Sequence, residues 1–122
     1  MPSNETLERF IARVEENAHA EAIAEFYTPD ASIQENQGTP RVGRDLLVDT
    51  ERKFLSTLAS VTSQCIRPVF VNGDRVVIRW IFDFGLPDGR KLRMEELAYQ
   101  HWEGEFIAEE RFFYDPAQRV PR

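Results

Sequence analysis

Arg75-Val76-Val77-Ile78-Arg79-Trp80-Ile81-Phe82-Asp83-Phe84-Gly85-Leu86-Pro87-Asp88-Gly89-Arg90-Lys91-Leu92-Arg93-Met94-Glu95-Glu96 is the stretch whose reading decides the fold. Its first half alternates. Val76, Ile78, Trp80, Phe82 and Phe84 point to one side of an extended chain, and Arg75, Val77, Arg79, Ile81 and Asp83 to the other. The first set is the inner face of a long strand. Pro87-Asp88-Gly89, with Gly at the left-handed position, is a common three-residue hairpin closure, so Leu86 pairs with Arg90. Counting back sets Phe84 against Leu92, Phe82 against Met94, Trp80 against Glu96 and Ile78 against Ala98, while Asp83 meets Arg93 outside. A two-residue loop would set Phe84 against a basic residue. The apolar matching favours the longer loop and leaves Glu96 as a carboxylate among Trp80, Phe82 and Met94.

On both sides of this hairpin, from Val61 onward, the hydrophobic period stays at two. The turn signals Asn72-Gly73-Asp74, Pro87-Asp88-Gly89 and Glu103-Gly104-Glu105 divide it into four strands, approximately 62–71, 75–84, 91–102 and 106–115. The last hairpin admits two registers. A two-residue loop at Glu103-Gly104 sets Arg111 opposite Glu96; a three-residue loop sets Phe112 there and Glu110 opposite Ala98. The first neutralises Glu96 with a salt bridge, and the second leaves it in an apolar setting.

Toward the N-terminus the period becomes helical. Ser3 or Asn4 is an N-cap, and Leu7, Phe10, Ile11 and Val14 line one helical face. Glu15, Glu16 and Asn17 interrupt the pattern. It resumes at Ala20, Ile23, Ala24 and Tyr27 and stops at Pro29-Asp30. Residues 31–36 alternate as a short strand, 37–41 read as loop, and after Gly43 a third helix carries Leu47, Phe54, Leu55 and Leu58 on one face. Helices and sheet must bury their apolar faces against each other. The fold class expected is α+β: N-terminal helices packed on a strongly curved antiparallel sheet that forms a cone-shaped barrel with an internal pocket, one domain over residues 1–122.

Composition narrows the function classes. The chain has 122 residues, 42% apolar and 30% charged, a size and mix that support one packed core. The formal charge of -6 works against a polyanionic partner, because nucleic-acid affinity comes from Lys and Arg neutralising phosphates. Apolar runs are short and interrupted by Arg or Asp, far below the roughly 20 residues of a membrane helix. A single cysteine, Cys65, and an N-terminus without a signal-like apolar run point to the cytoplasm.

The words Phe26-Tyr27-Thr28-Pro29-Asp30-Ala31-Ser32-Ile33, Gly43-Arg44-Asp45, and Gly104-Glu105-Phe106-Ile107 leading to Phe113-Tyr114-Asp115 resemble the SnoaL-like branch of the nuclear transport factor 2-like superfamily. The resemblance covers essentially the whole chain and lies in the order of the words rather than in any one of them. It implies a cone-shaped α+β barrel, usually dimeric. In this superfamily the cavity serves ketosteroid isomerisation, epoxide hydrolysis, dehydration, polyketide cyclisation or plain ligand binding. Residues 30–35 resemble the isomerase segment that ends in the general base, which places Glu35 in that role. The isomerases' oxyanion-donating tyrosine falls at Phe10, which has no donor. Glu96 lies near their second, protonated acid, although a one-residue shift at the Gly104 turn puts Leu97 there instead. The Asp-Arg-Asp set of the epoxide hydrolases falls on Trp80, Phe82 and Phe112, so that chemistry is not implied.

The candidate catalytic residues are therefore Glu35 and Glu96, each weighed against a structural reading: a solvated strand end for Glu35, a salt bridge to Arg111 for Glu96. The candidate pocket lining is Phe10, Tyr27, Ile33, Trp80, Phe82, Met94, Glu110, Arg111 and Phe112. His101 reads as an outer-face residue near a strand end, His19 as a solvated loop residue, and the two do not make a metal site. Cys65 reads as an inert small residue. No phosphate loop, nucleophile elbow or CxxC is present, and no cofactor is expected. The expected function is a small-molecule pocket acting as an isomerase, cyclase or lyase by carboxylate acid–base chemistry on a compact apolar or aromatic ligand. The alternative is a non-catalytic binding or dimerisation module. A homodimer is expected on the outer face of the sheet, where Val77, Ile81, Leu97 and Tyr99 interrupt the charges.

Overall fold

The computed structural model describes residues 1–122. Ser3 caps α1 (Asn4–Glu15), its hydroxyl accepting from the Thr6 N–H at 3.1 Å. Leu7, Phe10, Ile11 and Val14 are all buried, each contributing roughly 1.5–3 kcal/mol of apolar transfer. Asn17 turns the chain at φ +67°, a left-handed geometry that Asn tolerates, into α2 (His19–Phe26).

β1 (Tyr27–Glu35) begins earlier than periodicity suggested. Tyr27 is a strand residue rather than the end of a helical stripe, and Pro29 is tolerated because the ladder to the neighbouring strand is irregular between Tyr27 and Ser32. The segment expected as loop, 37–41, runs into β2 (Arg41–Val42), paired with Ser32 and Ile33. α3 (Arg44–Ser56) follows Gly43 at φ +109°. Four strands complete the sheet: β3 (Ser60–Asn72), β4 (Arg75–Gly85), β5 (Lys91–Glu103) and β6 (Phe106–Phe113). A 3-10 turn, Pro116–Arg119, follows them.

The β4–β5 ladder has the register argued from Pro87-Asp88-Gly89: Phe82 faces Met94, Trp80 faces Glu96 and Ile78 faces Ala98. Gly89 takes φ +90°, and the Leu86 N–H donates to the Arg90 carbonyl at 2.8 Å. The β5–β6 ladder has neither of the two registers considered. Its turn is Gly104-Glu105, with Gly104 at φ +60° in the first turn position, and Glu103 pairs with Phe106. A bulge between His101 and Trp102 on one side and Ile107 and Glu109 on the other then adds a further residue. Gln100 thus faces Glu110, Tyr99 faces Arg111 and Ala98 faces Phe112.

The strand order is β2-β1-β6-β5-β4-β3. All ladders are antiparallel except β1–β6, which is parallel, so the sheet is mixed rather than purely antiparallel. It curls around the three helices as an open cone with β2 and β3 at its edges. The inner faces of β4 and β5 and the apolar stripes of α1 and α2 form one core, including Phe10, Ile11, Ile23, Trp80, Ala98 and Trp102.

Candidate functional site

The core does not fill the cone. Between the helices and the inner face of the sheet lies a cavity of about 370 Å³, at the small end of the roughly 300–1,000 Å³ of small-molecule sites. The alternation of β4 places Trp80, Phe82 and Phe84 side by side along its floor. Trp80 and Phe82 stack at 5.5 Å, Phe82 and Phe84 at 5.9 Å. Met94 and Leu92 extend this wall on β5, while Phe10, Ile23 and Phe54 close it from the helices.

Glu96 interrupts that wall. It stands opposite Trp80, lines the cavity, and accepts no hydrogen bond or ion pair from any protein donor. Burial, reinforced by the nearby charges of Glu35, Glu110 and Glu51 and partly offset by Arg119, pushes its carboxyl up to about 8. The salt bridge to Arg111 does not form. Arg111 faces Tyr99 on the other side of the sheet, donates from Nε to the Asn36 carbonyl at 2.8 Å and stacks on Phe113 at 4.6 Å. It is not a cavity residue, because the shifted β6 register turns it outward.

Glu110 is 3% exposed and lies against the same cavity. The Tyr27 hydroxyl donates to one of its oxygens and Gln100 Nε2 to the other at 2.6 Å. Gln100 in turn accepts from Trp102 Nε1 at 2.9 Å. Burial raises the Glu110 carboxyl to about 7 against the opposing pull of the Tyr27 and Gln100 hydrogen bonds. The same burial and the adjacent Glu110 hold the Tyr27 hydroxyl well above its ordinary range.

Glu35, at the end of β1, is neither free nor merely solvated. Its Oε2 accepts from Arg41 at 3.2 Å, and its Oε1 from the Tyr114 hydroxyl at 3.0 Å and from Arg119 at 3.3 Å. Glu35, Arg41 and Arg119 form one rim of the cavity, and Ile33 and Phe112 lie just inside it.

Several lining residues were not expected from the sequence, His19 and Glu51 on the helices among them. His19 is buried rather than a solvated loop residue. Its ring packs on Phe82 at 5.2 Å, its Nε2 lies 2.6 Å from the Ser63 hydroxyl, and its Nδ1 lies 3.5 Å from Glu51. Ser63 in turn donates to Asn17 Oδ1 at 2.9 Å, which ties the α1–α2 junction to β3. Glu51 of α3 also faces the cavity. A signal for both was present: His19 precedes Ile23 and Phe26 by four and seven residues, and Glu51 lies between Leu47 and Phe54 at the same spacing. Each is a polar residue in an apolar stripe. Cys65 is buried on β3, and burial raises its thiol. His101 lies away from the cavity and contacts Asp74 at 2.8 Å.

The sequence signature of the SnoaL-like domain matches residues 7–110. Comparison with curated proteins finds no match. Among solved structures, a protein from Mesorhizobium loti assigned as a SnoaL-like polyketide cyclase is 21% identical, with a TM-score of 0.76 over 93% of this chain and 100% of that one. A Catenulispora acidiphila protein with a ketosteroid isomerase-like fold, in complex with trimethylamine, is 14% identical, with a TM-score of 0.77 over 95% and 89%. TerC, co-crystallised with polyporic acid, is 14% identical, with a TM-score of 0.76 over 93% and 91%. At these identities the likeness is one of fold.

Proposed function

The chain belongs to the SnoaL-like domain family, and from that premise we propose that it binds a compact apolar or aromatic small molecule in the cone and exchanges a proton with it through Glu96. The observation that carries this reading is a carboxyl group without a protein partner, facing a cavity walled by Trp80, Phe82 and Met94. Such a group is costly in an apolar wall unless something uses it. An acid that keeps its proton to about pH 8 is matched to proton transfer near neutrality.

Glu35 is the second acid–base candidate. All three of its contacts are donors, Arg41, Arg119 and the Tyr114 hydroxyl, and they fix the carboxylate at the rim of the cavity. Phe10 supplies no oxyanion donor, so the reading favours proton exchange over the isomerase pattern with its tyrosine. The small-molecule complexes of the Catenulispora protein and of TerC support the use of this cone for binding. We further infer a homodimer through the outer sheet face around Leu97 and Tyr99, and a cytoplasmic setting.

The deciding experiment is NMR detection of solvent deuterium entering a panel of compact aryl ketones. Wild type should catalyse exchange next to the carbonyl, and Glu96→Gln should lose about 10²-fold or more of it. Binding without exchange in wild type would turn the reading toward a non-catalytic binding module, and exchange unaffected in Glu96→Gln would remove Glu96 from the proton transfer.

A further inference from the structure

Glu51 and Glu96 face the cavity from opposite walls, one on α3 and one on β5. Neither carboxyl is satisfied within the protein. Glu96 has no donor, and Glu51 has only the His19 ring at 3.5 Å. The other two acids of the lining are occupied, Glu110 by Tyr27 and Gln100, Glu35 by Arg41, Arg119 and Tyr114. Four carboxyl groups thus face two guanidiniums; both engage Glu35, Arg41 through one terminal nitrogen while its Nε is buried without an acceptor.

This arrangement selects among ligand charges. An anion would meet the charges of Glu35, Glu110 and Glu51, which add to burial in holding the proton on Glu96 and are only partly offset by Arg119. A neutral hydrocarbon would leave Glu96 without a partner and Glu51 with the His19 ring alone. No three of the acidic, histidine or cysteine side chains come together closely enough to hold a metal ion, so the carboxyl groups ring the wall instead of converging on a point. A charge spread within a hydrocarbon envelope meets both requirements: the carboxylates compensate it, and aromatic rings take the envelope and add cation–π attraction.

We propose that the ligand is a compact organic cation, an amine or quaternary ammonium whose nitrogen lies between Glu51 and Glu96 and whose carbon substituents rest on Trp80, Phe82 and Phe54. The inference rests only on the reading of the cone as a small-molecule site: for a cation Glu96 is the charged partner, in place of proton exchange with an uncharged molecule. At neutral pH Glu96 holds its proton, because burial and the neighbouring acids push its carboxyl up to about 8. A quaternary ammonium must displace that proton, whereas an uncharged molecule need not.

Choline and its uncharged isostere 3,3-dimethylbutan-1-ol differ only in the replacement of nitrogen by carbon, and NMR titration of the intact protein with each tests the idea. Choline should bind at least tenfold more tightly than the isostere at pH 8.5, and at least tenfold more tightly at pH 8.5 than at pH 6. The isostere should not gain affinity with pH. Glu96→Gln should flatten the pH dependence for choline, and Glu51→Gln, which leaves Glu96 in place, should weaken choline severalfold without weakening the isostere. Equal affinity for the two molecules at pH 8.5, or choline binding that does not rise with pH, would overturn the inference while leaving a small-molecule site standing. If neither molecule binds at either pH, nor any of the aryl ketones, the inference and the reading of the cone fall together.

Discussion

Glu96 stands directly across the β4–β5 ladder from Trp80, on the face turned toward the helices. The indole and its neighbour Phe82 occupy space that water would fill around an ordinary carboxylate, so the charged form is the disfavoured one.

That placement gives stability a definite slope with pH. The Glu96 carboxyl is raised from 4.5 to about 8 in the fold, so between those values the native state holds a proton that the unfolded chain has released. Stability therefore falls as pH rises through this window, by at most about 1.4 kcal/mol per unit for one group, and levels off above it. Glu96→Gln removes the penalty. The variant should match wild type at pH 4.5 and exceed it in Tm at pH 8; a gap of the same size at both pH values would show that Glu96 is not held in its neutral form.

Tyr27→Phe tests the buried donor to Glu110. Leaving a buried acceptor without its hydrogen bond should cost about 1–3 kcal/mol. The donor favours ionised Glu110, whose carboxyl is raised to about 7, so the loss should be larger at pH 8 than at pH 5. Urea denaturation at the two pH values measures it, and a pH-independent loss would count against the assignment.

Ser63→Ala removes the hydroxyl that joins His19 to Asn17. A loss of about 1 kcal/mol in urea denaturation is expected. Hydrogen exchange should quicken at the α1–α2 junction while the β4–β5 ladder stays protected. Uniform exchange across the chain would argue against a local tie.

Tyr99→Glu addresses the outer face. Leu97 and Tyr99 are 46% and 43% exposed beside the Arg79–Glu95 and Arg93–Asp83 ion pairs, a mixture that suits a self-complementary two-fold contact. Light scattering at micromolar concentration should give near twice 14.2 kDa for wild type and the single mass for the variant. A wild-type mass near 14.2 kDa at every concentration would remove the dimer.

The legible part of the fold was the part specified locally. Pro87-Asp88-Gly89 admits few closures, and the apolar residues on either side of it match in only one register, so Trp80 and Glu96 could be paired without coordinates. Gly104 carried equal turn information, but the bulge beyond His101 has no residue signature, and each added residue turns a strand over. Arg111 was therefore assigned to the cavity it turns away from. β1 and β2 were harder for a different reason: Tyr27 takes its conformation from Ile107, on the last strand, and β2 is only two residues long. His19 and Glu51 were overlooked because a polar residue in an apolar stripe reads first as a break in the stripe.

The parallel ladder between β1 and β6 has a consequence for synthesis of the chain. Tyr27 and the Glu110 it holds are 83 positions apart, and β1 has no other long neighbour in the sheet. On the ribosome β1 emerges early, yet the β6 edge it pairs with does not exist until nearly the whole chain has been made. The β3-β4-β5 meander, closed by short turns, can assemble meanwhile, since local pairings cost the least loop entropy. The long edge of β1 waits, unpaired, for the last strand, and through this nascent interval an open strand edge is exposed to aggregation.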